Sequence, residues 1–346
     1  MKIIGIGETV YDIIFRNGQP DKAVPGGSTF NAMISLGRTL GKEGVECLMI
    51  SETGDDIIGH IITDFMRQNN VSPEYVTVHK GRKSHISLAF LNENNDAQYE
   101  FYKDHQHAEI PHHFPKVEQD DIVIFGSFFA VNPVIREMTR DFLVQAHDAG
   151  ATLYYDINFR KNHREELPQI MGNIIENYQL ATIVRGSKED FEFLYGDTND
   201  NDNDNDNQPL PTLSKGKGLK FESPSLREGL GVGSGTNVET VFTEHISPYC
   251  TTFICTDGSR PVEVWDGEHL RLPVPKISGK VVSTIGAGDN FNAGVAYALA
   301  KGMDFGRSRQ ETAEIVAIAQ QFSSNVCQSI YNYVDEGFNA KGMINN

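Results

Sequence analysis

Cysteine, tryptophan and positive charge are all scarce in this chain. Four cysteines among 346 residues cannot staple a fold, and the sequence reads as a reduced, cytoplasmic chain. The 30 Lys and Arg against 47 Asp and Glu leave a formal charge of −17, which argues against gripping a nucleic-acid backbone by counterion release. It does not argue against a nucleotide, because backbone amides and Mg²⁺ can bind phosphate locally. No apolar run approaches the ~20 residues of a membrane span, and Met1–Gly7 (MKIIGIG) carries no leader pattern. There is no GxxxxGK[ST], and Gly5–Val10 (GIGETV) lacks the third glycine of a dinucleotide fingerprint. His105, His107, His112 and His113 have no partners at a zinc spacing, so DHQHAEIPHHF reads as a solvated loop.

Apolar residues make up 39% of the chain, enough for a sizeable core. Short β-rich runs at Lys2–Gly7, Glu46–Ile50, Asp121–Gly126, Ala151–Asp156, Ala181–Val184 and Thr251–Thr256 alternate with helical patterns. Those patterns fall at Thr29–Leu40, Ile57–Phe65, Pro133–Ala149 and Glu166–Tyr178. The alternation predicts βαβ units and an α/β fold with a mostly parallel central sheet flanked by helices. Tyr75–Lys103 breaks it with period-two segments, predicting a small antiparallel flap. Asp197–Val238 opens with DTNDNDNDNDN and continues rich in Gly, Ser and Pro, so a disordered surface insertion is expected there. It is no calcium loop: counted from Asp200, position six is Asn205 and position twelve is Pro211. Cys250, Cys255 and Trp265 read as core residues.

The sharpest motif is Ser283–Gly294, STIGAGDNFNAG. A strand-like Lys280–Val282 leads into Gly286-Ala287-Gly288 and a helix over Asp289–Lys301, with Phe291, Val295 and Leu299 as its apolar stripe. Glycines before a helix let amides converge where the dipole favours an anion, most naturally a transferring phosphoryl group. Asp289 in that first turn is either a helix cap or the acceptor of a hydroxyl proton. A second pair, Gly26-Gly27, precedes the helix that carries Asn31, and Asp12 follows the first strand. Singly these read as turn and cap residues. Converging with Asp289 at the carboxyl ends of the strands, they suit a polyol.

The two motifs, PGGSTFNAMISLGRTLG at Pro25–Gly41 and STIGAGDNFNAG, resemble the paired signatures of the ribokinase-like (PfkB) carbohydrate kinases. The likeness covers nearly the whole chain outside Asp197–Val238. Gly7–Asp12 (GETVYD), Asp156–Arg160 (DINFR) and Arg185–Leu194 (RGSKEDFEFL) look most like the fructokinase branch. The resemblance implies a single ribokinase-like α/β domain over residues 1–346, with β-lid segments at about 10–20 and 75–103 and the insertion 197–238. It implies ATP-dependent phosphorylation of a sugar hydroxyl, with Asp289 as base and the amides of Gly286, Ala287 and Gly288 as anion hole. Asp12, Gly27, Asn31 and Arg160 would hold the sugar. Thr256, Gly258 and Asn325 would face ATP, and Glu189 and Asp190 would hold Mg²⁺ through water. The family's lid often pairs two copies, so a homodimer through the lid is expected.

Three residues depart from the pattern. Ser283 replaces the usual Asp, implicated in monovalent-cation binding, so no potassium requirement is expected. Ser187 replaces the commoner Asn of the metal-side motif. Pro261 removes an amide from the Gly-rich turn Thr256–Pro261 (TDGSRP). Within the resemblance, 2-keto-3-deoxygluconate, ribose or a nucleoside are alternative substrates. A catalytically silent sugar-binding or regulatory protein on the same fold is the alternative of another class.

Overall fold

Ile3-Ile4-Gly5-Ile6 is apolar at every position, a pattern suited to a strand covered on both faces. The computed structural model describes residues 1–91, 97–104, 112–196 and 237–340. Its first half runs β1 (Lys2–Ile6), β2 (Val10–Arg16), β3 (Gln19–Gly26), α1 (Ser28–Thr39), β4 (Glu46–Gly54), α2 (Ile57–Gln68), β5 (Val71–Ser72), β6 (Val76–His79), β7 (Ile86–Leu91) and β8 (Ala97–Tyr102). Then follow β9 (Ile122–Gly126), α3 (Arg136–Asp148), β10 (Thr152–Asp156), α4 (Leu167–Leu180), β11 (Ile183–Ser187) and α5 (Lys188–Tyr195). The remainder is α6 (Val238–Val241), β12 (Thr252–Thr256), β13 (Val262–Trp265), β14 (His269–Leu272), α7 (Ala287–Ala300) and α8 (Arg309–Cys327).

The main sheet has the order β14-β13-β12-β11-β10-β9-β1-β4-β5, with β6 also on β4. It is parallel from β12 through to β5, and β13 and β14 add an antiparallel edge. Ile3 packs in one core with residues of α1, α2, α7 and α8, whereas Ile4 and Ile6 join the other with α3, α4 and α5. That alternation is what a strand covered twice requires. Cys250, Cys255 and Trp265 are buried as expected, and Trp265 lies against Phe242, Phe253 and His269.

The second sheet, β3-β2-β7-β8, consists of two antiparallel hairpins joined by a parallel β2–β7 pairing. Asn17 and Gly18 both have positive φ (51° and 72°), the backbone of a tight primed turn that Asn-Gly favours. The first hairpin of this small sheet, expected over about 10–20, therefore extends to Gly26. Val76–His79 does not belong to it: β6 pairs in parallel with β4, because its partner lies at the far end of that long strand. Lys280–Val282 is not a strand either. It follows β14 with no strand beside it, and Val282 N–H donates to the Cys327 carbonyl (2.8 Å) at the end of α8.

His112 also departs from expectation. It is buried, with Nδ1 3.0 Å from Thr77 Oγ1 and Nε2 3.7 Å from Glu52, so a polar pocket between sheet strands holds it rather than solvent. His113 is exposed. His105, His107, the repeat around Asp200–Pro211 and most of the insertion lie outside the described residues. Among the described residues no group of His, Cys, Asp and Glu forms a metal cluster, and no helix is long and apolar enough to cross a membrane.

Candidate functional site

The N-termini of α1 and α7 meet at Asp289, which lies in range of Asp12 on β2, and the ends of β10 and β12 join the same place through Asp156 and Thr256. Gly27 is the N-cap of α1 with φ 121°, and a Cβ on it would strike the Glu8 carbonyl. Glycine is therefore required where the strand end and helix start close on each other. Gly286 plays the same part for α7, with φ 80° and the Asn332 carbonyl 2.7 Å from where a Cβ would be.

Asp289 sits in the first turn of α7. One oxygen accepts from Ser28 Oγ (2.8 Å) and the other from Asn31 Nδ2 (2.8 Å). Both donors come from α1, so the carboxylate bridges two helix N-termini. Its pKa is raised: burial dominates, opposed by those two bonds and by Arg160, and reinforced by Asp156. The cap alternative does not describe this side chain, since the N-cap is Gly286 and both oxygens bond to another helix. Of the three glycine-turn amides, Ala287 N–H turns back to the Thr284 carbonyl (3.2 Å). The next two amides, of Gly288 and Asp289, are those that a helix leaves without intrahelical partners, and the Asn290 amide already donates to the Gly286 carbonyl (2.9 Å).

Asp12 lies in the middle of the lid sheet and faces the same space. Ser87 Oγ donates to one oxygen and Asn332 Nδ2 to the other (3.2 Å). Burial pushes its pKa up to about 6, with Ser87 opposing, Asp289 adding, and Lys22 and Arg160 opposing. Burial likewise lowers Lys22, to about 8. Asn31 is buried, and its Oδ1 has no hydrogen-bond partner, a buried acceptor that a ligand hydroxyl would satisfy. Arg160 is exposed at the mouth, in range of both Asp12 and Asp289. Its loop turns on Asn158, whose Nδ2 donates to Ser127 Oγ (2.6 Å) in the neighbouring loop after β9, and both residues have positive φ. Lys103 fastens the end of β8 to both Glu8 oxygens (2.8 Å each).

The raised Asp12 has a stability consequence. A carboxyl whose folded pKa exceeds its unfolded one favours the folded state below the unfolded value, and that benefit is lost as pH rises through about 6. From pH 4 to pH 7, Asp12→Asn is expected to gain about 2 kcal/mol on wild type in urea unfolding. An unchanged difference between the two proteins would contradict the assignment.

The remaining expected residues are less tightly gathered. Thr256 Oγ1 accepts from Arg185 (2.7 Å), and Gly258 (φ 54°) occupies the following turn with open space around it. Asn325 stands apart from Asp289, near the end of α8, with both ends of its amide engaged by Asp335 (3.0 and 3.4 Å). Asp190 is buried, and one oxygen takes the Ser187 amide (2.6 Å) and hydroxyl (2.7 Å) in a capping box. Burial raises its pKa, with Asp156 adding. Glu189 is exposed beside it.

Sequence reasoning passed over Ser28, Ser87, Asn332, Lys22, Arg185 and Asn292. Ser28 stands inside the quoted first motif and one residue after the tight Gly27, which was its signal. Asn17-Gly18 signalled the hairpin that brings Lys22 to Asp12. Nothing local marks Asn332, which arrives from the far end of the chain.

The pfkB family carbohydrate kinase model matches residues 2–217 and 236–333. Among curated proteins, a probable fructokinase-2 of Arabidopsis thaliana is 23% identical over 183 residues, 50% of this chain and 53% of that protein. Fructokinase-2 of Solanum lycopersicum is 24% identical over 178 residues, 50% and 52% of the two chains. The chain thus spans about half the length of the curated relatives it matches. Aminoimidazole riboside kinase from Salmonella enterica, solved with aminoimidazole riboside and an ATP analog, superposes with a TM-score of 0.73 at 17% identity, covering 99% of this chain and 98% of that one. Fructokinase from Vibrio cholerae O395, bound to fructose, ADP and calcium, gives 0.71 at 17% identity and covers 96% and 94%. These likenesses establish a shared fold.

Proposed function

The chain belongs to the pfkB family of carbohydrate kinases, and from that premise we propose that it transfers the γ-phosphate of MgATP to a sugar hydroxyl, with fructose as the leading substrate. The observation that carries this reading is the position of Asp289, held by Ser28 and Asn31 at the start of α7 and facing the space shared with Asp12. A base and an anion-binding helix terminus at one point are what in-line attack of a hydroxyl on a phosphoryl group needs.

In this reading Asp12, the Gly27 turn, Asn31 and Arg160 hold the sugar. Asn31 Oδ1 takes a hydroxyl proton in a hydrogen bond, and Asp12 accepts another. Asp289 takes the proton of the attacking hydroxyl. Of the Gly286-Ala287-Gly288 turn, the Gly286 and Gly288 amides stabilise the charge on the transferring group, Ala287 N–H being taken by the Thr284 carbonyl, and the lid excludes competing water. Thr256 and Gly258 border the ATP phosphates. Exposed Glu189 and buried Asp190 suit a hydrated magnesium, which takes one or two carboxylates plus substrate phosphates rather than a protein cage. When bound, Mg²⁺ would offset the phosphate charge.

The test is ADP release from MgATP against fructose, ribose, glucose, 2-keto-3-deoxygluconate and adenosine. Saturable turnover of fructose above the others is expected. Turnover of adenosine or 2-keto-3-deoxygluconate instead would move the substrate within the family. Saturable sugar binding without ADP release would contradict the kinase reading and favour a binding protein.

A further inference from the structure

Beneath the first turn of α7 lies a buried network whose centre, Arg185, the proposed chemistry does not use. Arg185, in the middle of β11, is buried, and its Nη1 donates to Asp156 Oδ1 (2.9 Å) at the end of β10. Its Nη2 donates to Thr256 Oγ1 (2.7 Å) at the end of β12, so one guanidinium ties three adjacent strands. The second Asp156 oxygen accepts from Asn292 Nδ2 (2.7 Å), and Asn292 Oδ1 accepts from the Tyr154 hydroxyl (2.9 Å). Asn292 is three residues beyond Asp289 on α7. The guanidinium lies against the underside of that helix: a Cβ on Gly288 would be 3.1 Å from Nη2, and the Phe291 ring centroid is 5.9 Å away. Arg185 Nε has no hydrogen-bond partner, although a buried polar hydrogen normally finds one. A structural brace alone would not need so costly a group, since a buried ion pair is weak evidence for stability.

We propose that Arg185 is a positioning residue for the phosphoryl transfer: it cancels the buried Asp156 charge under α7, so that Asp289 can remain ionised and act as base. The inference rests on the sugar-kinase reading. Asp289 already faces opposing influences from every side. Ser28 and Asn31 of α1 hydrogen-bond to it, and Arg160 beyond β10 attracts it. Asp156 from β10, Asp12 from β2 and the Tyr99 phenol of β8 share its field. Two carboxylates near a third would press it toward the neutral form. Burial is the largest influence on Arg185 and works against its charge, but Asp156, Tyr154 and Asp190 together outweigh it and the guanidinium pKa is raised, so Arg185 stays charged.

The test reads protonation directly, without turnover. In carbon-13 NMR titrations, the Asp289 carboxyl signal is assigned by its loss in Asp289→Asn. Arg185→Gln is expected to move its midpoint up by about one pH unit, and Asp156→Asn to move it down. The double variant Arg185→Gln/Asp156→Asn restores neutrality and is expected to return near wild type. If Arg185→Gln does not fold, the downward shift in Asp156→Asn and its reversal in the double variant still decide the matter. Midpoints that stay put in all three would overturn the proposal and leave Arg185 a brace. Expected shifts combined with silence across the sugar panel would instead overturn the kinase reading, so the two failures are distinguishable.

Discussion

Replacing Asp289 with Asn is expected to lower kcat by about 10³-fold while leaving sugar and ATP affinity close to wild type. The substitution keeps the shape between Ser28 and Asn31 and removes the capacity to take a proton, at the cost of turning one of the two accepting oxygens into a donor. A group acting in the transition state lowers kcat and kcat/KM together, whereas a sugar-holding group such as Asp12 would show first in KM. The pH profile gives the same answer independently. Because burial raises the Asp289 pKa, the rate should fall as pH drops through a value above the ordinary aspartate range. Asp12, displaced to about 6, titrates in the same field, so the acid limb belongs to the pair. Residual activity of the variant should lack the Asp289 part of that limb. A variant retaining most of its kcat would remove Asp289 from the chemistry.

Gly286→Val is expected to reduce kcat by about 10²-fold or more, the scale of losing one preorganised donor to a developing charge. The reason is local geometry. Gly286 has φ 80°, and a Cβ there would be 2.7 Å from the Asn332 backbone carbonyl, which must shift. Asn332 in turn holds both Asn290 of α7 and Asp12 of the lid (2.8 and 3.2 Å). One methine therefore disturbs the proposed anion turn and the proposed sugar side together. Backbone strain of this kind costs about 1–3 kcal/mol. Gly302→Val provides the control: φ is 85° and no atom lies within 4 Å of its Cβ position. It should lower thermal stability by the backbone strain alone and leave kcat unchanged. Equal activity losses in both variants would mean that strain, not the anion turn, is responsible.

The parallel core was legible because its strands are apolar at consecutive positions and its helices keep a 3.6 period. Ile122–Gly126 and Ile57–Gln68 fall close to where those patterns place them. Asp289, Asp12, Gly27 and Asn31 were legible because each stands beside a glycine turn or strand end, where local sequence dictates local backbone. The lid was read incompletely. Val76–His79 alternates like a lid strand, but pairing is chosen by the neighbour, and β4 is long enough to take it. Contacts made by distant segments left no local trace: Ser87 on Asp12, Asn332 on Asp12, and the Arg185–Asp156 pair beneath α7. His112 misled for the same reason, since burial against Glu52 and Thr77 is set by tertiary packing rather than by its polar neighbours in sequence.

The most direct test of the account is to follow MgATP and fructose by phosphorus-31 NMR with wild type and Asp289→Asn. One sugar phosphate should form for each ADP in the wild-type reaction, and neither should accumulate at a comparable rate in the variant. ADP appearing with free phosphate and no phosphorylated sugar, or equal sugar phosphate from both proteins, would contradict transfer to a hydroxyl activated by Asp289.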